Sequence, residues 1–311
     1  MTGRNRTIRL TDGERGILAQ DLLPIPEKKL VADEIRNKIF HGDCAAFVAV
    51  LPPRSADLLF LDPPYGIAKK FGSLSFPKIS DARYSEYLQS WFPALVPLLK
   101  PGASVYFCTD WHTSNAVASI LQNCGFEIRN RITWQREKGR SSATNWKNCH
   151  EDIWYAVKPG AEPYFDPDAV KIRRKVIAPY RNDGIPKDWK EDESGCKSRL
   201  TGASNFWDDL TVPFWSMPEN TEHPTQKPEK LVARIILASS RPGDLILDPF
   251  MGSGTTAATA VKLGRCFTGC EINEEYVMLA MKRVAMAQKD RRIQGYCDGV
   301  FLERNFRLAD Q

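Results

Sequence analysis

A chain of 311 residues with 42% hydrophobic and 26% charged side chains can bury a sizeable core, and it fits one large domain or a domain plus an insertion. No apolar run approaches the roughly 20 residues that span a bilayer, and the opening MTGRNRTIRL lacks the apolar stretch of a secretory signal; no membrane association is expected, and the cytoplasm is the expected compartment. The eight cysteines form no C-x-x-C pair and the four histidines do not join them at zinc-finger spacing, so reduced core thiols and no metal centre are expected. The net charge of +5 is modest, and the Lys and Arg surplus between Arg129 and Arg199 accounts for all of it.

Residues 1–36 mix charges with a short apolar patch, Ile17 to Leu23, before turn residues Pro24 and Pro26, and read as an ordered N-terminal arm. The run ADLLFLDPPYG is nearly continuous in apolar residues until it reaches turn residues, the pattern of a buried parallel strand whose carboxyl end, at Asp62, opens into a loop. A helix is predicted over about Ser85 to Leu99, stopped by Pro101-Gly102, and then the short strand SVYFC, which completes a βαβ unit. A second helix, about Thr113 to Cys124, ends at Gly125. RNRITWQ and EDIWYAV read as strands around the polar stretch REKGRSSATNWKNCH, which has loop composition. Residues 159–222, rich in proline and dispersed charge with no clean period, read as a separately organised insertion. Helical periodicity returns over Glu229 to Ser239, followed by the strand DLILD, a glycine-rich turn, a helix from Thr255 to Leu263, the strand RCFTGCE and a long helix from Glu274 to Lys289. The alternation predicts an α/β fold.

Two segments carry chemistry. LILDPFMGSGTTAATAV is strand, glycine-rich turn and helix, the arrangement that lets backbone amides approach a ligand at a helix N-terminus. A phosphate-binding loop needs G-x-x-x-x-G-K-[ST] and a dinucleotide fold needs G-x-G-x-x-G. Neither is present, since Gly252-Ser253-Gly254 is followed by Thr255-Thr256-Ala257 with no lysine. Glu271 ends the next strand 23 residues after Asp248, where a carboxylate can accept hydrogen bonds from both ribose hydroxyls, a spacing shared by several nucleoside cofactors.

The other segment is Asp62-Pro63-Pro64-Tyr65. An exocyclic amino nitrogen on adenine or cytosine is a poor nucleophile because its lone pair is delocalised into the ring. A carboxylate and a backbone carbonyl, each accepting one N–H, pull that nitrogen toward tetrahedral geometry and aim its lone pair at an electrophile. Asp62 and the Pro63 carbonyl suit these roles. The two prolines, Pro63 and Pro64, fix the turn without adding amide donors, and Tyr65 suits stacking on a base.

DPPY together with DPFMGSGTT resembles the amino-methylating DNA methyltransferases in the permuted order called the β class, in which the catalytic half precedes the cofactor half as Asp62 precedes Asp248. HPTQKP, His223 to Pro228, matches another hallmark of that family, and NCHEDIWYAVK resembles the strand before the recognition region in its EcoRI-like N6-adenine members. The match covers roughly residues 37–288. The resemblance implies a circularly permuted, Rossmann-like methyltransferase fold, a mostly parallel sheet with helices on both faces. It implies an arm at 1–36, a catalytic half at 37–158, a target-recognition insertion at 159–222, a cofactor half at 223–288 and a tail at 289–311.

The cofactor it implies is S-adenosyl-L-methionine, leaving as S-adenosyl-L-homocysteine. Gly252, Ser253 and Gly254 would cradle its methionine part, Thr255 would also contact the cofactor, Asp248 and Phe250 would shape the loop, and Glu271 would hold the ribose. Asp43 and Cys44 would line the adenine ring. His223, Thr225 and Lys227 would lie near the cofactor carboxylate, with Lys227 pairing to it, and Asp62 would also contact the methionine ammonium.

A base inside a duplex cannot present its amino group to a buried sulfonium, so the implied partner, double-stranded DNA, must have its target flipped out at a cost of a few kcal/mol. Arg136, Lys138, Arg140 and Lys147 in the polar loop suit phosphates, and Lys69, with Lys70 and Phe71, could close over the target. Trp134 falls where the family places an aromatic near the flipped base, and a core tryptophan on a strand is the competing reading. Arg173, Arg174, Lys175 and Arg181, with Lys171, Asn182 and Trp189, make the insertion the candidate for sequence recognition. An Asp opening the tetrapeptide resembles adenine-N6 enzymes, with N4-cytosine methylation as the alternative and an inactive cofactor-binding recognition subunit as the non-enzymatic one. A homodimer is expected from the family, and a cognate restriction endonuclease or a solitary regulatory role would use the same catalytic parts.

Overall fold

The computed structural model describes residues 5–66, 69–71, 74–76, 79–136, 143–176, 180–191 and 195–306, with backbone alone at 69–71, 74–76 and 186. Among the described residues the principal sheet contains β1 (Leu23–Pro24), β2 (Lys38–His41), β3 (Ala56–Leu61), β4 (Leu99–Thr109), β5 (Glu127–Gln135), β6 (His150–Val157), β7 (Phe206–Trp207), β8 (Leu245–Asp248) and β9 (Cys266–Glu271). Their spatial order is β1-β2-β9-β8-β3-β4-β6-β5-β7, and β6 alone runs against the rest.

The central strands are apolar without alternation because both faces are covered. Leu59 and Leu61 of β3 and Leu245 and Leu247 of β8 face the helices Cys44–Val50, Asp81–Trp91 and Ser114–Asn123. Leu58, Phe60 and Ile246 face the helices Glu229–Ser239, Thr255–Lys262 and Glu274–Lys289. Each such leucine, fully buried, contributes about 1.5–3 kcal/mol.

The helix expected over Ser85 to Leu99 is displaced. Ser80 caps it by accepting the Arg83 amide at 3.4 Å, so it starts at Asp81, and it ends at Trp91. Phe92–Leu98 then continues as 3-10 turns containing Pro97, because a proline ring removes the amide that an α-helix would need. β4 already begins at Leu99, so Pro101-Gly102 lies within this strand and not at the end of a helix.

The insertion is less separate than its composition predicts. Its strands Ile172–Lys175, Lys190–Glu191 and Lys197–Thr201 form a second sheet with Tyr296–Cys297 and Val300–Leu302 from the segment expected to be a tail. Its β7 joins the principal sheet by pairing parallel to β5. Buried Asp209 accepts Arg234 at 2.7 and 3.1 Å and Lys230 at 2.7 Å, which ties the insertion to the helix Glu229–Ser239. Removing one partner of such a buried group costs about 3–5 kcal/mol. The arm is also fixed, with Ile8 and Leu10 packed on Met278 and Leu279.

Candidate active site

β8 and β3 lie side by side and parallel, pairing Ile246 with Leu58 and Leu247 with Leu59. From β8 the chain proceeds to β9 on one side, and from β3 to β4 on the other. At such a reversal the loops leaving the two carboxyl ends diverge and open a crevice. A cavity of about 430 Å³ lies there, reaching from Asp43 and Cys44 after β2 to Asp62 after β3, the turn after β8, and Glu271 at the end of β9.

The lining is acidic. Asp43, Asp62, Asp248 and Glu271 face it against Lys227 as its lysine, a set that repels phosphate and suits a cationic nucleoside with a ribose diol. S-adenosylmethionine, bearing a sulfonium and an ammonium, meets that description. Asp43 caps the helix Cys44–Val50 by accepting the Ala45 amide at 2.8 Å. Burial pushes the Cys44 thiol up to about 12, so it stays neutral beside that cap. Asp248 is buried, accepts the Phe250 amide at 3.0 Å and so bends the chain leaving β8; burial raises its carboxyl to about 7. Glu271 is also raised, chiefly by burial, while its two oxygens accept the Gly252 and Asn273 amides at 2.9 and 2.8 Å.

The glycines of the turn have different duties. Gly252 has φ of +52° beneath the His223 ring, where a Cβ would come 3.2 Å from Nε2. Gly254, at φ +80°, does not line the cavity as expected for a cradle residue; a Cβ there would lie 2.5 Å from the Cβ of Ala280, so it permits the helices Thr255–Lys262 and Glu274–Lys289 to touch. Ser253 and Thr255 are held from behind by Arg283, whose Nη1 donates to the Ser253 carbonyl at 3.1 Å and to Thr255 Oγ1 at 2.9 Å, while Nη2 donates to Glu229 at 2.9 Å. Sequence reading missed Arg283, although a charged residue following Val277 and Ala280 on the apolar stripe of its helix is the available signal. His223 packs edge-on against Tyr276 and accepts the Thr225 amide at 3.4 Å, so both residues shape the rim.

Lys227 lines the cavity, and its ammonium lies 2.7 and 2.6 Å from the two Asp62 oxygens and 3.4 Å from Glu151, which ties it to the catalytic segment. Burial alone would lower its pKa, but Asp62 and Glu151 raise it, keeping the charge. Tyr65 also lines the cavity, with most of its surface covered. It is buried, its hydroxyl donates to Asp62 at 2.6 Å and to Glu151 at 3.3 Å, and its ring lies 5.3 Å from the Lys227 ammonium. Burial raises the phenol well above its ordinary value, so it is a donor at neutral pH. Pro63 and Pro64 line the cavity beside Asp62. Glu151, unforeseen from sequence, also accepts Arg136 and is itself buried. Its signal was a Glu-Asp pair opening an apolar strand.

The proposed DNA contacts divide. β5 runs parallel to β3, so the loop leaving it rises from the catalytic edge. Lys147 is exposed in that loop next to Trp146, which is 94% exposed. Lys138 and Arg140 lie outside the described residues, as does the side chain of Lys69, whose backbone begins a hairpin with Leu74–Phe76. Trp134 is a core residue, its indole donating to the Leu210 carbonyl at 3.4 Å, and it cannot stack on a base from there. Arg136 is paired with Glu151. Arg174 is paired with Asp208 at 3.1 Å and Arg173 reaches Ser198 at 3.5 Å, whereas Lys175 and Arg181 are exposed, Arg181 stacking over Trp189.

A crevice at the switch point of a parallel sheet, lined for a cationic nucleoside and containing a carboxylate at a proline-fixed turn, defines a nucleoside-cofactor-dependent group-transfer fold. The chain matches the N6/N4 methyltransferase family of DNA methylases over residues 56–282 and belongs to it. It is 35% identical over 252 residues to the DNA adenine methyltransferase YhdJ of Escherichia coli (strain K12), covering 80% of this chain and 83% of that protein. It is 34% identical over 267 residues to the type II methyltransferase M2.DpnII of Streptococcus pneumoniae, covering 80% and 90%. The crystal structure of an M1.HpyAVI–SAM complex superposes with a TM-score of 0.52 at 26% identity, covering 79% of this chain and 98% of that one. The cytosine-N4-specific PvuII DNA methyltransferase shares the fold, with a TM-score of 0.58 at 18% identity over 84% of this chain and 89% of that one. Among the described residues no helix is long and apolar enough to cross a membrane.

Proposed function

We propose that this chain transfers a methyl group from S-adenosyl-L-methionine to the N6 amino group of adenine in duplex DNA, as a permuted, β-class enzyme of the DPPY type. The observation that carries the reading is that Asp62, at the end of β3, opens into the same cavity as the glycine turn that follows β8. Adenine is supported by the likeness to an enzyme named for that base and by the Asp that opens the tetrapeptide. The order in the chain, β3 before β8, supports the permuted subtype.

When bound, the cofactor supplies an electrophilic methyl group on a sulfonium. Asp62 accepts one N–H of the target amino group and the Pro63 carbonyl accepts the other, which draws the nitrogen out of conjugation. As the new bond forms, the amino proton leaves toward the Asp62 carboxylate. Tyr65 holds that carboxylate in place through the hydrogen bond described above. Glu271 suits the ribose hydroxyls, and Asp43 and Cys44 suit the adenine end of the cavity. In this reading residues 37–158 carry catalysis and 223–288 the cofactor, while Lys147, Lys175 and Arg181 contact DNA, and Lys138, Arg140 and Lys69 are assigned to DNA from the sequence alone. The segment 159–222, with the C-terminal strands it pairs to, selects the target. A homodimer and a cognate restriction endonuclease remain part of the proposal, the latter supported by the likeness to a type II methyltransferase.

The test incubates the protein with unmethylated duplex DNA and methyl-labelled cofactor and digests the DNA to nucleosides. Label is expected in N6-methyladenine. Label confined to N4-methylcytosine overturns the choice of base, and unlabelled DNA overturns DNA methylation.

A further inference from the structure

Four charges meet at the floor of the active site. Asp62 and Glu151 are the carboxylates, Lys227 and Arg136 the cations, and Tyr65 donates to both carboxylates. The set balances in the DNA-free protein. In that balance Asp62 is poorly prepared for its task, because it already accepts Tyr65 on Oδ1 and Lys227 on both oxygens. A neutral amino group must then compete with an ammonium for the carboxylate oxygens.

Arg136 is the more exposed of the two cations and the one placed to meet a DNA phosphate. It directly follows β5 at the catalytic edge and is 27% exposed, against 5% for both Glu151 and Lys227. A phosphate can therefore draw Arg136 away from Glu151. Glu151 is then a buried carboxylate missing its strongest partner, a state too costly to persist. Lys227 stands 3.4 Å away and is the available replacement. Asp62 tolerates the loss better because it is more exposed and faces the cavity, where the cofactor's positive charges and the target N–H groups compensate it.

We infer that Glu151 is a positioning residue: when DNA phosphate withdraws Arg136, Glu151 takes over Lys227 and leaves Asp62 free for the target amino group. This rests on the DNA methyltransferase reading. It couples target engagement to the reactivity of Asp62 through hydrogen-bond exchange alone, without any covalent step. It also gives the loop after β5 a duty beyond affinity.

Three variants and one optical signal test it. With plasmid DNA as substrate, Glu151→Gln is expected to lower kcat by about 10- to 100-fold while the KM for DNA and the cofactor Kd move less than about threefold, since the amide cannot draw Lys227. Glu151→Asp keeps the charge and is expected to recover part of the loss. Arg136→Gln is expected to place its defect in KM for DNA, about tenfold, with kcat reduced less than about threefold. The Arg136 guanidinium lies 5.9 Å over the Trp134 ring, so its withdrawal should change Trp134 emission when plasmid DNA is added, read as the difference between wild type and Trp134→Phe. That change should vanish in Arg136→Gln. The inference is overturned if Glu151→Gln keeps the wild-type kcat, if Glu151→Asp is no better than Gln, if Arg136→Gln loses kcat as Glu151→Gln does, or if Trp134 emission ignores DNA. Absence of methyl transfer by the wild type would instead sink the parent reading, and the emission arm would still show whether DNA displaces Arg136.

Discussion

Around the glycine turn, functional groups are held by short local bonds or by the adjacent parallel strand: Asp248 by the Phe250 amide, Glu271 by Gly252 and Asn273, Asp43 by the helix it caps. Among the basic residues proposed to contact DNA, some stand in solvent, as Lys147, Lys175 and Arg181 do, and others are paired with remote carboxylates, as Arg136 and Arg174 are. The first region is preorganised for a ligand of fixed shape. The second is a reserve of charge that a partner must rearrange, which is the behaviour expected where deformable DNA is gripped. Substitutions should therefore be severe and specific in the first region and mild and salt-dependent in the second.

The largest effect is expected at Asp62. Asp62→Ala should lower methyl transfer by about a thousandfold or more, because the group that localises the amino lone pair is gone, while DNA binding measured by anisotropy changes little. Activity near wild type would remove Asp62 from the chemistry. Next comes Gly254→Ala. A left-handed residue with a Cβ driven into the Ala280 backbone, 2.7 Å from its Cα, should cost about 2–5 kcal/mol in urea unfolding. A cost below about 1 kcal/mol would show that the two helices can separate there.

Asp248 separates stability from binding. Its carboxyl is raised from 3.8 to about 7, so between those values the unfolded chain has released its proton while the folded one keeps it. Its contribution to stability is thus full below about pH 4 and is lost as pH rises toward 7. Cofactor affinity should run the other way, since a cationic ligand prefers the ionised form, improving by up to about tenfold per pH unit as pH approaches 7. Calorimetric titrations from pH 6 to 8 should show that slope, and Asp248→Asn should flatten it. An unchanged slope in the variant would assign it to another group.

The same division explains what the sequence discloses. The strands ending at Asp62, Asp248 and Glu271 and the helices Glu229–Ser239 and Glu274–Lys289 are local patterns of apolar run, turn and cap, so their positions follow from nearby residues. The helix after Ser80 was misplaced because Leu95, Leu98 and Leu99 keep the apolar count high after the prolines have ended α-geometry. The second sheet was not legible, since Ile172–Lys175 pairs with Val300–Leu302, far along the chain, and its strands are too short to show a period. Lys227 and Tyr65 are recognisable in the sequence, but their bonds to Asp62 and Glu151 are not. A motif supplies residue types, while the partner of a buried ammonium depends on which carboxylate the fold brings near, here Asp62 and Glu151.

The smallest expected effect tests the mild side of the comparison. Lys175 and Arg174 are adjacent on one strand of the insertion, yet Lys175 is exposed while Arg174 is held by Asp208 at 3.1 Å. If the exposed cations supply phosphate contacts, Lys175→Ala should weaken binding to all duplexes by a few fold and reduce the salt slope of the affinity by about one. Arg174→Ala should leave that slope nearly unchanged, because its charge is already neutralised within the protein, and it should act on the fit of the insertion instead. Equal losses of slope in the two variants would mean that DNA breaks the Arg174–Asp208 pair. The exchange inferred for Arg136 and Glu151 at the active-site floor would then have a counterpart in the insertion, and paired arginines would count as DNA contacts held in waiting.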